Sequence, residues 1–289
     1  MNMRERIMRV ATTEKKAKAT ALSIDPEILW APDKEGVYKL DVIPYKVTRP
    51  GHPDGAMIGE DFQVGDEYYR RPYSTHSIMN KVVACPQATF GETCPICTKI
   101  SIWYNDYEKN AVAIKQFRKR NRVLFNIVVN DEKVIRVGDF SNFPNNKMTP
   151  MKSFGEMLRY EMSVDIEKFG SFPLLDGGYS LMVRFIEKKF EKFKYFDADR
   201  IDFKERDNLP AKLADKAHPL DDLVTYTSPD EVADMFDQAM KFGQADMERA
   251  EQRAHTPPAN ARYSEDDVPD DFKSMPAPNV QDVQDADWE

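Results

Sequence analysis

One short stretch of the chain holds four residues of the types that bind soft metal ions. It begins at His76 and contains all three cysteines of the protein, Cys85, Cys94 and Cys97. The spacing is His-x8-Cys-x8-Cys-x2-Cys. Three thiolates and one imidazole complete a tetrahedral shell around Zn²⁺. Because such a shell leaves no position for water, the pattern predicts one structural zinc ion rather than a catalytic one.

A disulfide framework or a redox pair would explain less of the His/Cys spacing than a metal site does. An odd number of cysteines argues against a disulfide framework. A redox pair formed by Cys94 and Cys97 leaves Cys85 and His76 without a role. Two alternatives stay open: the cysteines are small buried residues, or His52, in a Pro/Gly-rich loop, is a rival metal ligand.

The net charge of −8 hides a strong asymmetry along the chain. Residues 1–24 carry a net charge of +4, residues 25–218 of +1, residues 219–254 of −6 and residues 255–289 of −7. We therefore expect a basic N-terminal arm, a nearly neutral core, an acidic helical segment and an acidic tail. The tail is rich in proline and poor in apolar residues, which predicts disorder.

Short apolar strands separated by long insertions predict an α+β fold, built on a small barrel or an open sheet. Strands are expected at residues 36–47, 81–84, 123–129, 133–137, 179–187 and 190–196. Residues 48–66 are typical of a long loop. Helices are expected from Cys94, within residues 151–162, and from a capping box that begins at Ser228.

Several classes of protein find no support in the sequence. No apolar run approaches the ~18 residues that a membrane span needs, and the basic N-terminus lacks a secretory apolar core. Cysteine use then predicts a reducing cytoplasm. The sequence contains no Ser/His/Asp constellation, no phosphate loop and no clustered carboxylates for a two-metal site, so we expect a protein that is not an enzyme.

Two basic stretches could bind single-stranded nucleic acid, which requires cations along its phosphates and aromatic faces for its bases. Lys109–Arg122 contains no acidic residue, and residues 184–196 alternate basic and aromatic side chains. Phe185 and Phe196 are expected in the core. The candidate DNA contacts come from these stretches, from the tyrosines near the first, and from the segment before His76: Arg70, Arg71, Tyr73, Tyr104, Tyr107, Lys115, Arg118, Lys119, Arg120, Arg122, Lys188, Lys189, Lys192 and Lys194.

Together the metal motif, the basic run and the acidic end resemble the single-stranded DNA-binding proteins of the T-even phage type, the helix-destabilising protein family. The four metal-binding residues match that family's zinc ligands in order, with shorter gaps. Arg118, Lys119 and Arg120 match its basic triplet, which leads into a strand. Where the family's best-known member has an aromatic pair, this chain has Val123 and Leu124. Stacking would then fall to other aromatic residues: Tyr73, Tyr104, Tyr107 or Phe125.

The resemblance covers about residues 35–205 and the general layout of both ends. It implies an oligonucleotide-binding (OB-like) β-barrel with an inserted zinc subdomain at about residues 66–108. It also implies self-association through the basic arm and recruitment of replication and recombination proteins, such as a polymerase, helicase or primase, through the tail. The tail residues expected to bind such partners are Asp285, Asp287, Trp288 and Glu289.

The expected function is to coat single-stranded DNA during phage DNA replication, recombination and repair, and to destabilise its secondary structure. The location would be the cytoplasm of the infected bacterial host. Two alternatives share most of these features. One is a zinc-containing RNA-binding regulator, and the other is a protein–protein adaptor that does not coat DNA.

Overall fold

The computed structural model describes residues 21–79, 81–142, 153–190 and 193–241. The chain divides into a compact unit, Met1–Ala239, and a second unit, Met240–Glu289. The predicted arm up to residue 20, Lys192 and the predicted tail lie outside the described residues. Residues 219–239, expected as part of an acidic helical segment, belong to the same unit as the sheet.

A largely antiparallel sheet of eight strands forms the centre of the fold. Two further strands, β3 (Tyr45–Lys46) and β4 (Glu67–Tyr68), pair only with each other among the described residues. The strands of the main sheet are β1 (Leu29–Trp30), β2 (Gly36–Ile43), β5 (Arg71–Ile78), β6 (Lys81–Ala84), β7 (Arg120–Val129), β8 (Ile135–Ser141), β9 (Tyr179–Phe190) and β10 (Phe193–Glu205). The hydrogen-bonded order is β1-β8-β7-β2-β9-β10, and β5 branches from β7 and carries β6.

Strand β7 occupies the middle of the sheet because both of its faces are apolar. Every residue from Val123 to Val129 is buried, as expected for a strand covered on two sides. One edge of β7 pairs with β8, whereas the other edge pairs first with β5 and then with β2. Asn130 and Asp131 adopt positive φ angles of 48° and 63° in the turn between β7 and β8. The predicted strand, turn and partner strand are confirmed.

The described strands do not close into a barrel. Strands β1 and β10 stand at the two ends of the hydrogen-bonded path and do not pair with each other within the described ranges. The register of β10 against β9 shifts between Ala198 and Arg200, which marks a β-bulge that bends the hairpin. The architecture is therefore a mixed α+β fold with a largely antiparallel sheet, without the predicted barrel closure.

Short helices fill the connections between the strands. The predicted helices after Cys94, within residues 151–162 and after Ser228 are confirmed, and an unpredicted helix lies in the expected loop at residues 48–66. No described helix has the length and apolar character to cross a membrane. The helices are α1 (Pro53–Ile58), α2 (Pro86–Phe90), α3 (Pro95–Trp103), α4 (Tyr107–Phe117), α5 (Phe154–Val164), α6 (Ile166–Phe169), α7 (Leu220–Leu223) and α8 (residues 229–241).

Aromatic rings dominate the main hydrophobic core, between the sheet and α5. Phe154, at the start of α5, stacks on Phe140 of β8 with a centroid distance of 4.1 Å. Trp30 meets Phe185 edge-on at 5.7 Å. Phe185 is buried and Phe196 packs against the same cluster, so both are core residues as expected.

His52 explains why a helix forms inside the predicted loop. Its Nδ1 accepts a hydrogen bond from the Asp54 backbone N–H at the start of α1, at 3.2 Å, so its Nε2–H donates to the Arg70 carbonyl oxygen at 3.0 Å. Burial, and then the charge of Arg71, lowers the pKa of His52. Both ring nitrogens have structural partners, so His52 is a helix-capping residue and not the rival metal ligand.

A buried ion pair ties α7 to β5. Arg71 Nε lies 3.0 Å from Asp221 Oδ1, and neither side chain is more than 2% exposed. Asp221 also accepts hydrogen bonds from the Thr48 backbone N–H at 2.9 Å and the Tyr45 hydroxyl at 3.3 Å. The segment after the sheet is thereby held against the strand that carries His76.

Loss of this buried ion pair should lower the free energy of unfolding much more than loss of an exposed ion pair nearby. Asp221→Asn leaves the Arg71 guanidinium buried without a counter-charge, so we expect a loss of about 3–5 kcal/mol in the free energy of unfolding. The control is Asp222→Asn, which removes the exposed pair with Arg49 and should cost at most about 1 kcal/mol. Urea unfolding of the metal-saturated proteins measures both, and equal losses would contradict the assignment.

Candidate metal centre and adjoining groove

Four candidate metal ligands come from three different elements. His76 lies on β5, whose hairpin with β6 leads directly to Cys85. Cys85 and Cys94 are the N-cap residues of α2 and α3, and each is followed by a proline at the first helical position, where a fixed φ favours the start of a helix. Cys97 lies on the first turn of α3. The two Cys-Pro steps therefore place all three thiols at the beginnings of short helices.

The ligand atoms have the spacing of a tetrahedral metal shell. All four lie within 4.8 Å of one another. Cys85 Sγ is 3.6 Å from Cys97 Sγ, and His76 Nε2 is 3.5 Å from both Cys94 Sγ and Cys97 Sγ. Ideal zinc bond lengths give edges of about 3.8 Å between two sulfurs and about 3.6 Å between sulfur and nitrogen. The cluster could therefore hold one metal ion.

The surroundings of the cluster favour a structural role. His76, Cys85 and Cys94 are buried, and Cys97 is half-buried. His76 Nδ1 lies 2.8 Å from the Phe117 carbonyl oxygen, so the ring donates there and presents Nε2 to the cluster. Such an outer hydrogen bond fixes the tautomer of a ligating histidine. A metal ion held by all four side chains would have no open coordination position for a substrate.

Protonation of the thiols is already unequal without a metal ion. Hydrogen bonds with the Cys94 and Cys97 thiols lower the pKa of Cys85. Hydrogen bonds with Cys85 and Cys94 raise the pKa of Cys97. A divalent cation bound here would displace the protons of the thiols that ligate it.

Two exposed tyrosines lie directly after the helix that carries Cys97. Tyr104 and Tyr107 are 57% and 55% exposed, and their rings are stacked with centroids 6.0 Å apart and an interplanar angle of 8°. They line an open depression of about 280 Å³, here called the tyrosine groove, together with Ala111, Val112, Ile114, Lys115 and Arg118. The groove therefore presents aromatic faces beside two cationic side chains.

The basic run next to the groove is exposed. Lys115, Arg118, Lys119 and Arg120 are all on the surface, and none of them makes an ion pair with another described residue. Arg118 ends α4 with φ −54° and ψ 144°, so the chain becomes extended there and enters β7 at Arg120. Four uncompensated positive charges follow one another along this short path.

The candidate DNA contacts in the segment before His76 are buried and have partners within the fold. Arg71 pairs with Asp221 in the interior, and Arg70 is buried with its Nε 2.6 Å from Asp54 Oδ2. Tyr73 is buried, with its hydroxyl donating to Asp139 at 3.0 Å. Phe125 is also buried. All four side chains are thus buried, although Arg70 and Tyr73 also line an open depression of about 390 Å³.

Two of the candidate DNA-binding lysines of the β9–β10 hairpin form ion pairs with carboxylates of the same hairpin. Lys188 Nζ lies 2.8 Å from Asp197, and Lys194 Nζ lies 3.1 Å from Glu187. Lys189 is exposed, and Lys192 lies outside the described residues. Arg122, from the first basic stretch, is likewise paired, with its Nε 2.8 Å from Asp139 Oδ1. Carboxylates that are distant in sequence or on the facing strand compensate these cations.

Sequence reasoning missed the apolar part of the tyrosine groove. Ala111 and Val112 lie between the basic residues, and Val112 is 81% exposed. The signal was present in the spacing: Tyr104, Tyr107, Ala111, Lys115 and Arg118 follow one another at intervals of three and four residues. Such intervals place side chains on one face of a helix.

Comparison of the chain with protein-family models gives no match, and comparison with curated proteins gives no match either. The resemblance to the phage family is therefore a hypothesis that rests on the motifs alone. The functional interpretation is therefore based on the ligand cluster and the tyrosine groove.

Removal of one ligand should empty the metal centre. We expect purified protein to contain one zinc ion per chain, and His76→Ala to lose it together with more than about 4 kcal/mol of stability. His52→Ala removes the other buried histidine of this region and should keep the metal. Elemental analysis and thermal unfolding with and without chelator measure both effects. A full zinc complement in His76→Ala would refute the assignment.

Proposed function

We propose that this protein is a zinc-stabilised, non-enzymatic single-stranded DNA-binding protein. The observation that carries the proposal is the tyrosine groove beside a run of exposed cations. Stacked, exposed rings offer faces to bases of any sequence, and adjacent cations follow the phosphates. Both requirements for binding a single strand are met on one surface, by residues 104–120.

The proposed ion is zinc, and its proposed role is to hold this surface in place. The metal centre fixes α3, which leads into Tyr104. His76 also bonds to the carbonyl oxygen of Phe117, the residue before Arg118. The two ends of the groove are thereby connected to the same four ligands. Residues 104–118 contribute no ligand of their own, so binding is done by the neighbours of the metal centre.

The wider role follows from the motif resemblance. We propose that the protein coats single strands during phage DNA replication, recombination and repair in the cytoplasm of the infected host. Preferential binding to a single strand destabilises hairpins by mass action. The basic arm would mediate self-association, and the acidic tail would recruit replication proteins. The largely antiparallel sheet is interpreted as an OB-like core, although its described strands do not close.

The exposed cations should set the salt dependence of binding. Each phosphate contact on a single strand contributes about 0.7 to the slope of log K against log salt concentration. The combined variant Arg118→Ala/Lys119→Ala/Arg120→Ala should therefore lower the slope for oligo(dT) by about 2. Fluorescence anisotropy of a labelled oligonucleotide measures it.

The matched control removes three exposed lysines elsewhere, with Lys204→Ala/Lys212→Ala/Lys216→Ala. It changes the net charge equally and should leave the slope within error of the wild type. Absence of oligo(dT) binding by the wild type at low salt would contradict the proposal and favour a protein–protein adaptor that does not coat DNA. Clearly tighter binding of oligo(U) than of oligo(dT) would favour the RNA-binding regulator.

Tyr104 and Tyr107 should contribute to the affinity for oligo(dT) without contributing to its salt dependence. Tyr104→Ala or Tyr107→Ala should each weaken oligo(dT) binding by about 1–3 kcal/mol, with an unchanged salt slope and an unchanged zinc content. Phenylalanine at either position should restore most of the affinity, because it keeps the aromatic face. If the alanine and phenylalanine variants bind oligo(dT) with equal affinity at both positions, the proposal that bases stack in the groove is wrong.

A further inference from the structure

We infer that the cleft between β8 and the β9–β10 hairpin is a second subsite for a nucleobase. This aromatic cleft has a volume of about 460 Å³. Its lining includes Trp30, Arg122, Asp139, Phe140, Phe185 and Tyr195. The inference rests on the proposed function, since it assigns a further base of the same bound strand to a site outside the tyrosine groove.

Buried aromatic rings form part of the wall of the aromatic cleft. Trp30 lies 5.7 Å from Phe185 and 6.3 Å from Phe140, and all three rings belong to the main core. Tyr195, at the rim, is 46% exposed. A planar ring that enters the cleft would cover the exposed part of Tyr195 and contact the rings of the wall. Aromatic walls of this kind suit a flat heterocycle.

The charges at the aromatic cleft cancel, which argues against a phosphate there. Arg122 Nε donates to both carboxylate oxygens of Asp139, at 2.8 and 2.9 Å. Lys188 pairs with Asp197, which also lines the cleft. An anion would gain little from cations that already have partners, whereas a neutral base meets no unbalanced charge. The polar end of the cleft can still exchange hydrogen bonds with the edge of a base.

The aromatic cleft and the tyrosine groove are joined by one extended segment. Arg118 lines the groove and Arg122 lines the cleft. Four residues of extended chain span at most about 14 Å, a distance that a strand of a few nucleotides can cover. Lys119 and Arg120, exposed between the two sites, would meet the intervening phosphates. The uncompensated cations thus lie where the backbone should pass, and the aromatic surfaces lie at its two ends.

Trp30 provides a direct reporter of the aromatic cleft. The chain has three tryptophans, so the variant Trp103→Phe/Trp288→Phe leaves Trp30 as the only one. Saturation with oligo(dT) should quench or shift its emission. An oligonucleotide of the same length with abasic positions keeps the phosphates but should leave Trp30 emission unchanged.

The rim residue gives the energetic test. Tyr195→Ala should weaken binding of a dodecamer of dT by about tenfold, equivalent to about 1.4 kcal/mol, with no change in salt slope. Tyr195→Phe should bind as the wild type does. Tyr160→Ala is the matched control, because Tyr160 is similarly exposed, at 53%, and lines neither site. It should have no effect.

Photo-crosslinking identifies the contacts in the unmodified chain. An oligonucleotide with 5-iodouracil at every position should attach both near Tyr104 or Tyr107 and near Tyr195 or Trp30, as mapped by mass spectrometry. Normal oligo(dT) binding with no crosslink at the cleft and no effect of Tyr195→Ala would overturn the subsite alone. Failure to bind any oligonucleotide would overturn the proposed function together with it.

Discussion

Four potential metal-binding atoms lie within 4.8 Å of one another. The arrangement of the tyrosine groove and of the exposed cations beside it depends on this constraint. Those atoms come from a β-hairpin and two short helices, whose apolar contacts include the buried side chains of Ile96, Trp103 and Phe117. A metal ion bound by all four would add to this apolar packing a direct link between the three elements. The bond from His76 to the Phe117 carbonyl oxygen extends the same constraint to the end of α4, so the orientation of the exposed tyrosines and arginines follows from it.

The C-terminal part of the compact unit supports the same region from the opposite direction. Asp221 neutralises Arg71 on the strand that carries His76. Farther along, Phe236 of α8 packs edge-on against Phe117 and Trp103, with centroids 5.1 and 6.1 Å apart. The residues that carry the groove thus contact the metal centre on one side and α8 on the other. Packing therefore couples the stability of the ligand cluster to the integrity of the groove, and a bound metal ion would strengthen this coupling.

Much of the secondary structure could be predicted from the sequence, because the signals are local. The apolar run of β7, the turn at Asn130 and the Ser228 capping box each depend on neighbouring residues only. The metal ligands also belong to this class, since a short spacing with two Cys-Pro steps forces the thiols together. Prediction was weaker where distant segments meet. The strand pattern left a small barrel and an open sheet both possible, and the barrel was expected from the family resemblance. Closure depends on the register and curvature of all the strands. The helix α1 depends on a bond from His52 to Arg70 that no local pattern shows.

By itself, the sequence determined the ligand set, the central strand, the aromatic content of the core and the position of the basic run. Only the tertiary structure decided which cations are available to a ligand. Lys119 and Arg120 are left exposed, whereas Arg71 and Arg122 meet Asp221 and Asp139. The physical reason is that the charge a guanidinium offers depends on its burial and on carboxylates brought near by the fold. Both are properties of three-dimensional proximity, which a one-dimensional charge pattern does not contain.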